Sequence, residues 1–535
     1  MTPQTARAPV LPGPYDLLVV GGGINGVAIA RDAALRGRSV LLVEKGDFGS
    51  GTSSASSKMV HGGIRYLEQF RFGLVFEALI ERHRLLRLAP HLVRPQSFLI
   101  PVYRDMRRGA RLIRIGLFLY DTLALGRRLG KSVYLDAAAT LARCPRLLPD
   151  GLIGGGIYWD GVMDDARLCL VNAIAASEES RTGVTTTIRN YTELVELRAG
   201  APARARVRDL LSGEEQSVLA HRVVRALGPW SEPELLVPSK GVHVVLPRLP
   251  LSDGLLLTHS RDGRVFFVIP SGESTVVGTT ETPTSQPPEA LRVESAEVDY
   301  LLAELNRLFP GLNVSRASIT GTFAGIRPLA RRAGRSRAGS AGAVSRTHRI
   351  VESDGVLTVV GGKYTTYRAI ARAVVDRLYP STRCETARRA LPGGEHGDWT
   401  RARARFGARI ERYGEEEVAR LFRRYGARLE HVLALVDRRP ELGERLGEGF
   451  PELRAEVVHA ARSELAVYAA DFLRRRTDLR FREGGGVALY DEVDELLRQA
   501  GAPLPRNGHR AREQYLEEIA WEDRLRTTGA LSRSE

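Results

Sequence analysis

The chain is poor in cysteine, has no apolar run long enough to cross a bilayer, and carries fewer acids than bases. Its three cysteines, Cys144, Cys169 and Cys384, are odd in number, far apart and in no CxxC or CxxH pairing. That pattern supports neither a disulfide framework nor a zinc site, and it fits a reducing cytosolic setting. Residues 1–14 lack a charged start followed by an apolar stretch, so they read as an N-terminal tail without a secretory signal. The most apolar helical segment, residues 112–125, is interrupted by Arg114 and Asp121. A spanning helix needs about 20 apolar residues, so any membrane would be met from its surface. There is no internal repeat, and the one biased tract, the Arg/Ala/Gly/Ser stretch 330–344, reads as an exposed loop. Acids number 63 against 78 Lys and Arg, for a net charge of +15. Such an excess suits a polyanion, an anionic membrane surface or an anionic substrate, and charge alone does not choose among them.

What is present is an ordinary globular composition, 43% hydrophobic and 26% charged, which argues against long disorder. A chain of 535 residues exceeds what one core supports, so a large domain with an appendage is expected. Residues 16–20 (DLLVV), the glycine turn 21–26, the helical stretch 27–36 and residues 39–43 (SVLLV) order as strand, turn, helix, strand, a βαβ unit. Continuous apolar runs mark strands covered on both faces, as in a parallel sheet flanked by helices. From about 151 to 345 short β-rich runs such as 242–246, 265–269 and 274–278 predict a mixed sheet inserted into this first fold. The strand 356–360 and the helical pattern 364–378 return the chain to it, so the nucleotide-binding parts are expected at about 15–150 and 345–390 of a region spanning 15–390. Beyond Gly394 an Arg, Glu, Ala and Leu texture predicts an all-helical domain over 395–535. Its longest helix is expected around 458–472, with Arg474, Arg475 and Arg476 at the negative end of the helix dipole.

Gly21, Gly22, Gly23, Ile24, Asn25 and Gly26 fit GxGxxG directly after the first strand. One glycine permits the tight turn, the second lets backbone approach a pyrophosphate, and the third lets helix and strand pack, while the helix N-terminus offers amide donors. Glu44 ends the second strand 18 residues beyond Gly26, where an acid holds a ribose hydroxyl and disfavours NADP. The loop alone leaves FAD and NAD open.

Residues 51–58 (GTSSASSK) and 61–67 (HGGIRYL) resemble the FAD-dependent glycerol-3-phosphate dehydrogenases. Trp159, 162–168 (VMDDARL), 228–230 (GPW), 239–243 (SKGVH), 278–280 (GTT), 325–329 (GIRPL) and 361–368 (GGKYTTYR) follow in that family's order, and the helical tail resembles its C-terminal domain. The resemblance implies FAD as cofactor, held in the amino-acid-oxidase type of flavoenzyme fold: an α/β Rossmann-like domain, an inserted mixed-sheet substrate domain and an all-α C-terminal domain. It implies oxidation of sn-glycerol-3-phosphate to dihydroxyacetone phosphate by hydride transfer to the flavin, with reoxidation by a membrane quinone. That places the enzyme in the cytoplasm, peripheral on the inner face of the cell membrane. The cofactor contacts it implies, besides the glycine loop and Glu44, are Lys45, Thr52, Ser53, Ser54, Ser57, Lys58, His61, Gly62, Gly228, Trp230, Gly362 and Thr365. The chain departs from the family pattern at Arg225, Ala226 and Leu227, where Asn-Ala-Thr is common, and at Glu281, where aspartate is usual.

A phosphorylated three-carbon substrate needs cations of fixed geometry, and the arginine fork suits phosphate oxygens. Arg65, Arg327 and Lys363 stand in glycine-flanked motifs. Within the matched segments they are the expected contacts to substrate oxygens and phosphate, with Tyr66 beside Arg65. Removal of the alcohol proton calls for a base; His243 is the first candidate and His61 the second. Arg104, Arg107, Arg108, Arg111 and Arg114 lead into an apolar run 115–119 that can either rest on anionic lipid or pack as an ordinary surface helix. The residues quoted do not separate a quinone-linked dehydrogenase from an oxidase that uses dioxygen, and a homodimer is compatible with them. A flavin-dependent RNA-modifying or nucleic-acid-binding protein is the alternative from another class. It is disfavoured because the tail's arginines alternate with glutamates and no stacking aromatics line a basic groove.

Overall fold

The structure is a computed structural model, and it describes residues 9–106, 108–180, 183–331 and 348–527. The start of the tail, Arg107 and nearly all of the 330–344 tract lie outside the described residues.

The apolar runs of the N-terminus form β1 (Tyr15–Val20), α1 (Ile24–Leu35) and β2 (Val40–Val43). β1 sits in the middle of a sheet, parallel to β2 on one side and to Glu215–Arg225 on the other, with Leu18 opposite Leu41 and Val223. Thr186–Arg189 and Val356–Val360 extend the parallel set, and Arg349–Ser353 closes one edge antiparallel. Leu17, Val19, Val40 and Leu42 are fully buried under α1, Asp165–Glu178 and Tyr367–Leu378. Small residues allow this: Ala28, Ala30 and Ala33 of α1 meet Ala173 and Ala176, so helix backbones approach closely.

A second, ten-stranded sheet carries the other half of the large domain. Its long strands Leu236–Pro247 and Gly321–Ala330 pair antiparallel with His243 opposite Phe323 and Ser239 opposite Arg327. Ser295–Leu308 covers one face, burying Val298, Leu301 and Leu305 against Val242, Val244 and Val277.

The partition between the sheets differs from the sequence reading. Met59–Val60, Val93–Tyr103, Val133–Asp136 and Leu152–Met163 belong to the second sheet, whereas Thr186–Arg225 contributes to the first. The chain therefore crosses between the sheets repeatedly, instead of entering a single insertion at 151. Runs of apolar residues mark strands but not their neighbours, because pairing is set by partners far away in sequence.

The C-terminal region is helical from Trp399 to Thr527, with two cores around Phe422 and Phe472. The helix expected over 458–472 is broken: Arg454–Ser463 ends, Leu465 adopts φ +55°, and the chain resumes at Ala469. Arg476 Nη2 donates to the Glu464 carbonyl at the end of Arg454–Ser463, at 2.6 Å, but the acid that Arg475 and Arg476 share lies elsewhere. They reach across to the first domain, where Arg475 Nε lies 2.6 Å from Asp47 Oδ2 and Arg476 also pairs with Asp47. Burial alone would lift the Asp47 carboxyl, but these two guanidiniums outweigh it and hold it below its ordinary value.

Candidate functional site: one cavity from the glycine loop to His243

The turn after β1 shows why its glycines are there. Gly21 adopts φ +107°, and a Cβ on Gly26 would sit 1.8 Å from the Gly21 carbonyl oxygen. A Cβ on Gly22 would collide with Glu44 at 2.7 Å. Glu44 Oε2 accepts from Gly22 N at 2.6 Å and Oε1 from Gly46 N at 2.7 Å. Burial pushes its carboxyl above the usual range, with the two amide hydrogen bonds and Lys45 opposing. A carboxylate offers about four acceptor positions, so Glu44 can brace the turn and still receive a ribose hydroxyl. The serine loop locks on to the same feature: Ser53 Oγ accepts from Ile24 N at 2.9 Å, and Thr52 Oγ1 donates to Ile326 O at 2.7 Å.

From this turn a cavity of ≈ 760 Å³ runs between the sheets, within the range of about 300–1,000 Å³ that small-molecule and cofactor sites occupy. At one end its walls carry Gly21, Gly23, Ile24, Asn25, Glu44, Lys45, Gly228 and Trp230; Thr52, Ser53 and Ser57 follow, and His61, Arg65, Tyr66, His243, Arg327, Gly362, Lys363 and Thr365 complete it. The elongated run from helix N-terminus and acid to a cationic end fits FAD.

Five residues expected at the cofactor are not on the cavity wall. Gly22 and Gly26 shape the turn from behind. Ser54 Oγ turns back to the Gly51 carbonyl at 3.4 Å. Gly62 N donates to Asp160 Oδ1 at 3.1 Å and Tyr120 Oη at 3.0 Å, a buried support joined by Arg82. Lys58 points away and pairs with Asp165 at 2.6 Å, because that buried carboxylate at the start of Asp165–Glu178 requires a counter-charge. The Asp160, Tyr120 and Arg82 support was not anticipated from sequence; its members lie in three separate segments and share no local spacing.

The far end gathers the charged side chains. Lys363 Nζ lies 3.7 Å from the centre of the Tyr66 ring. Arg327 Nη2 donates to Thr279 Oγ1 at 2.8 Å and its fork also reaches the Thr280 carbonyl at 3.3 Å, which fixes the plane of the guanidinium. Gly241 leaves it room, since a Cβ there would be 2.5 Å from Arg327 Nη2. His61 N donates to Thr365 Oγ1 at 3.1 Å. His243 is 2% exposed, its Nε2 is 2.9 Å from Ser57 Oγ, and a Cβ on Gly278 would strike its ring at 2.3 Å. Burial first, then the charges of Arg327 and Lys58, push the imidazole well below its ordinary pKa, so it is neutral. Arg264 and Phe267 also line this end and carry no sequence motif.

A nucleotide-length cavity between a parallel sheet and a mixed sheet, with a neutral histidine at its end, defines a flavin-dependent oxidoreductase of the amino-acid-oxidase architecture. A profile of the family described as FAD dependent oxidoreductase matches residues 16–377, and one described as the C-terminal domain of alpha-glycerophosphate oxidase matches 384–500. The chain is 36% identical over 500 residues to the glycerol-3-phosphate dehydrogenase of Synechocystis, covering 86% of this chain and 88% of that one. It is 33% identical to the aerobic glycerol-3-phosphate dehydrogenase of Staphylococcus haemolyticus over 90% of each. The chain belongs to the FAD-dependent glycerol-3-phosphate dehydrogenase family. Among solved structures, the glycerol-3-phosphate dehydrogenase of Bacillus halodurans complexed with FAD is 28% identical, with a TM-score of 0.75 over 96% of this chain and 95% of that one. Glycine oxidase from Geobacillus kaustophilus shares the fold, with a TM-score of 0.51 at 21% identity over 71% of this chain and 98% of that one.

Proposed function

We propose that this chain oxidises sn-glycerol-3-phosphate to dihydroxyacetone phosphate and passes the electrons to a membrane quinone. The observation that carries the reading is the convergence of Arg65, Arg327 and Lys363 with His243 at the end of a cavity that begins at Glu44. Bound FAD supplies the hydride acceptor. A phosphate near a full double negative charge is matched by three cations, and a guanidinium already oriented by Thr279 and Thr280 loses little entropy on binding it. Neutral His243 takes the hydroxyl proton as the carbon-bound hydride leaves. Phe267 from the second sheet adds an apolar surface to the cavity wall.

For the quinone, the supporting feature is the outer face of Ala110–Leu123. Ile113, Leu117 and Tyr120 pack inward, whereas Ile115 and Phe118 are 57% and 70% exposed and Phe70 is 81% exposed. Arg108 ties this helix to the segment before Phe70 through Glu68 at 2.6 Å. An apolar surface edged by Arg104, Arg108 and Arg111 suits an anionic bilayer surface; among the described residues no helix is long and apolar enough to cross it.

Anaerobic mixing with sn-glycerol-3-phosphate tests the reading: the flavin band near about 450 nm should bleach with this substrate and not with glycerol. A flavin spectrum that persists overturns the substrate. Because the C-terminal profile takes its name from an oxidase, the acceptor is tested separately; peroxide formed in air at the rate of turnover would replace the quinone by dioxygen.

A further inference from the structure

A chain of ring contacts joins the helical domain to His243. Phe323 lies parallel to the imidazole, centroids 4.6 Å apart and planes 13° apart. Phe323 also meets Phe481 of the helical turn Leu479–Phe481, at 5.5 Å between centroids with the planes tilted by 56°. Lys58 Nζ sits 5.8 Å from the Phe323 ring and 6.0 Å from that of Phe481. The strand that bears Phe323 and Arg327 is fastened at its start by the same domain. Glu522 Oε1 accepts from Thr322 N at 2.8 Å and from Thr322 Oγ1 at 2.5 Å, and Arg526 Nη2 donates to the Thr320 carbonyl at 2.7 Å. Arg480 holds Glu522 at 2.9 Å. Gly321 permits the contact, since a Cβ there would lie 3.0 Å from Phe481 Cδ1.

We infer that Phe481 and Glu522 are positioning residues for the oxidation: the helical domain sets the place of the His243 ring, through Phe323, and of the strand that carries Arg327. The inference rests on the role assigned to His243 above. The imidazole packs on Phe323, and Phe323 in turn packs on Phe481 of the helical domain. Proton removal depends on a heavy-atom approach of about 3 Å, and a misplacement of about 1 Å costs on the order of 100-fold in rate. The charged groups around the ring are Arg327 from its paired strand and Lys58 from the serine loop, with Asp165, Asp164 and Asp478 acting on Lys58. Ser57 and Gly278 are its uncharged neighbours. Loss of the Phe481 ring admits water beside His243, weakens its desolvation and raises its pKa toward the ordinary value near about 6.5.

The test uses the full-length, FAD-loaded protein in anaerobic stopped-flow reduction by sn-glycerol-3-phosphate, with Phe481→Ala, Phe481→Leu, Glu522→Gln and His243→Ala compared. We expect Phe481→Ala to lower the limiting reduction rate by about 10- to 100-fold and to move its acid limb to higher pH. Substrate affinity and flavin content stay within about two-fold, as a group acting only through geometry requires. Phe481→Leu, which refills most of the space, restores most of the rate, and Glu522→Gln lowers it less than Phe481→Ala does. Wild-type rates and pH profile in Phe481→Leu and Glu522→Gln, together with a Phe481→Ala that either matches wild type or fails to fold, overturn the inference while a slow His243→Ala keeps the base in place. A His243→Ala variant as fast as wild type overturns the base, and this inference with it.

Discussion

The two ends of the cavity are built by different means. At the cofactor end the protein presents backbone: glycines stripped of Cβ, a helix N-terminus and one carboxylate that braces the turn. At the substrate end it presents side chains, cations and a histidine, each held by a neighbour from another segment. Backbone sites tolerate no added atom, whereas side-chain sites tolerate substitution and lose rate. The proposed function therefore assigns flavin occupancy to one end and chemistry to the other.

The largest effect that separates them is expected for Gly26→Ala. Its Cβ would lie 1.8 Å from the Gly21 carbonyl oxygen, so the purified protein should carry no flavin and show no turnover, read from the ratio of visible to ultraviolet absorbance. A yellow, active variant would break the comparison. Next comes His243→Ala, for which kcat should fall by about 10²- to 10⁴-fold with the flavin spectrum unchanged. Arg327→Lys should then lower kcat/KM by about 10- to 100-fold, since an ammonium cannot reproduce the planar fork held by Thr279 and Thr280; loss of FAD in that variant would show that the two ends are not separable.

The smallest effect concerns a charged cluster outside the cavity. Burial alone would raise the Glu456 carboxyl, but Arg420 and Arg424 outweigh it and hold it down to about 2. A depressed carboxylate contributes stability that is present above its unfolded pKa, about 4.3, and is lost as pH falls toward the folded value. The melting temperature should therefore drop between about pH 4.5 and pH 2, and Glu456→Gln should melt lower at neutral pH with a shallower acid slope. Equal slopes would remove Glu456 from the acid response.

Sequence reading reached the glycine turn and its acid because their requirements are local. Gly21, Gly23, Gly26 and Glu44 lie on one βαβ unit, where spacing alone constrains geometry. At the other end Arg65, His243, Arg327 and Lys363 were found through resemblance, as no spacing relates them. The partners that fix them, Thr279, Ser57 and Phe323, become visible only in three dimensions. The misread elements fail for the same reason. Arg475 and Arg476 follow a helical pattern and look like solvated or dipole-matching charges, yet their partner Asp47 is 428 and 429 residues away. The helix drawn through Leu465 fits the 3,4 spacing of apolar residues, yet the chain turns at Leu465, where φ is +55°, a local conformation that spacing does not encode.

The tie between Thr322 and Glu522 spans 200 residues, which has a bearing on the order of events during synthesis. Chains fold from the N-terminus as they emerge, and the glycine turn, Glu44 and the parallel sheet are all made before the helical region. The strand that carries Arg327 is fastened only once Glu522 has been made. A chain that ended before Glu522 would still contain the whole glycine turn but would leave the strand of Arg327 without its fastening at Thr322.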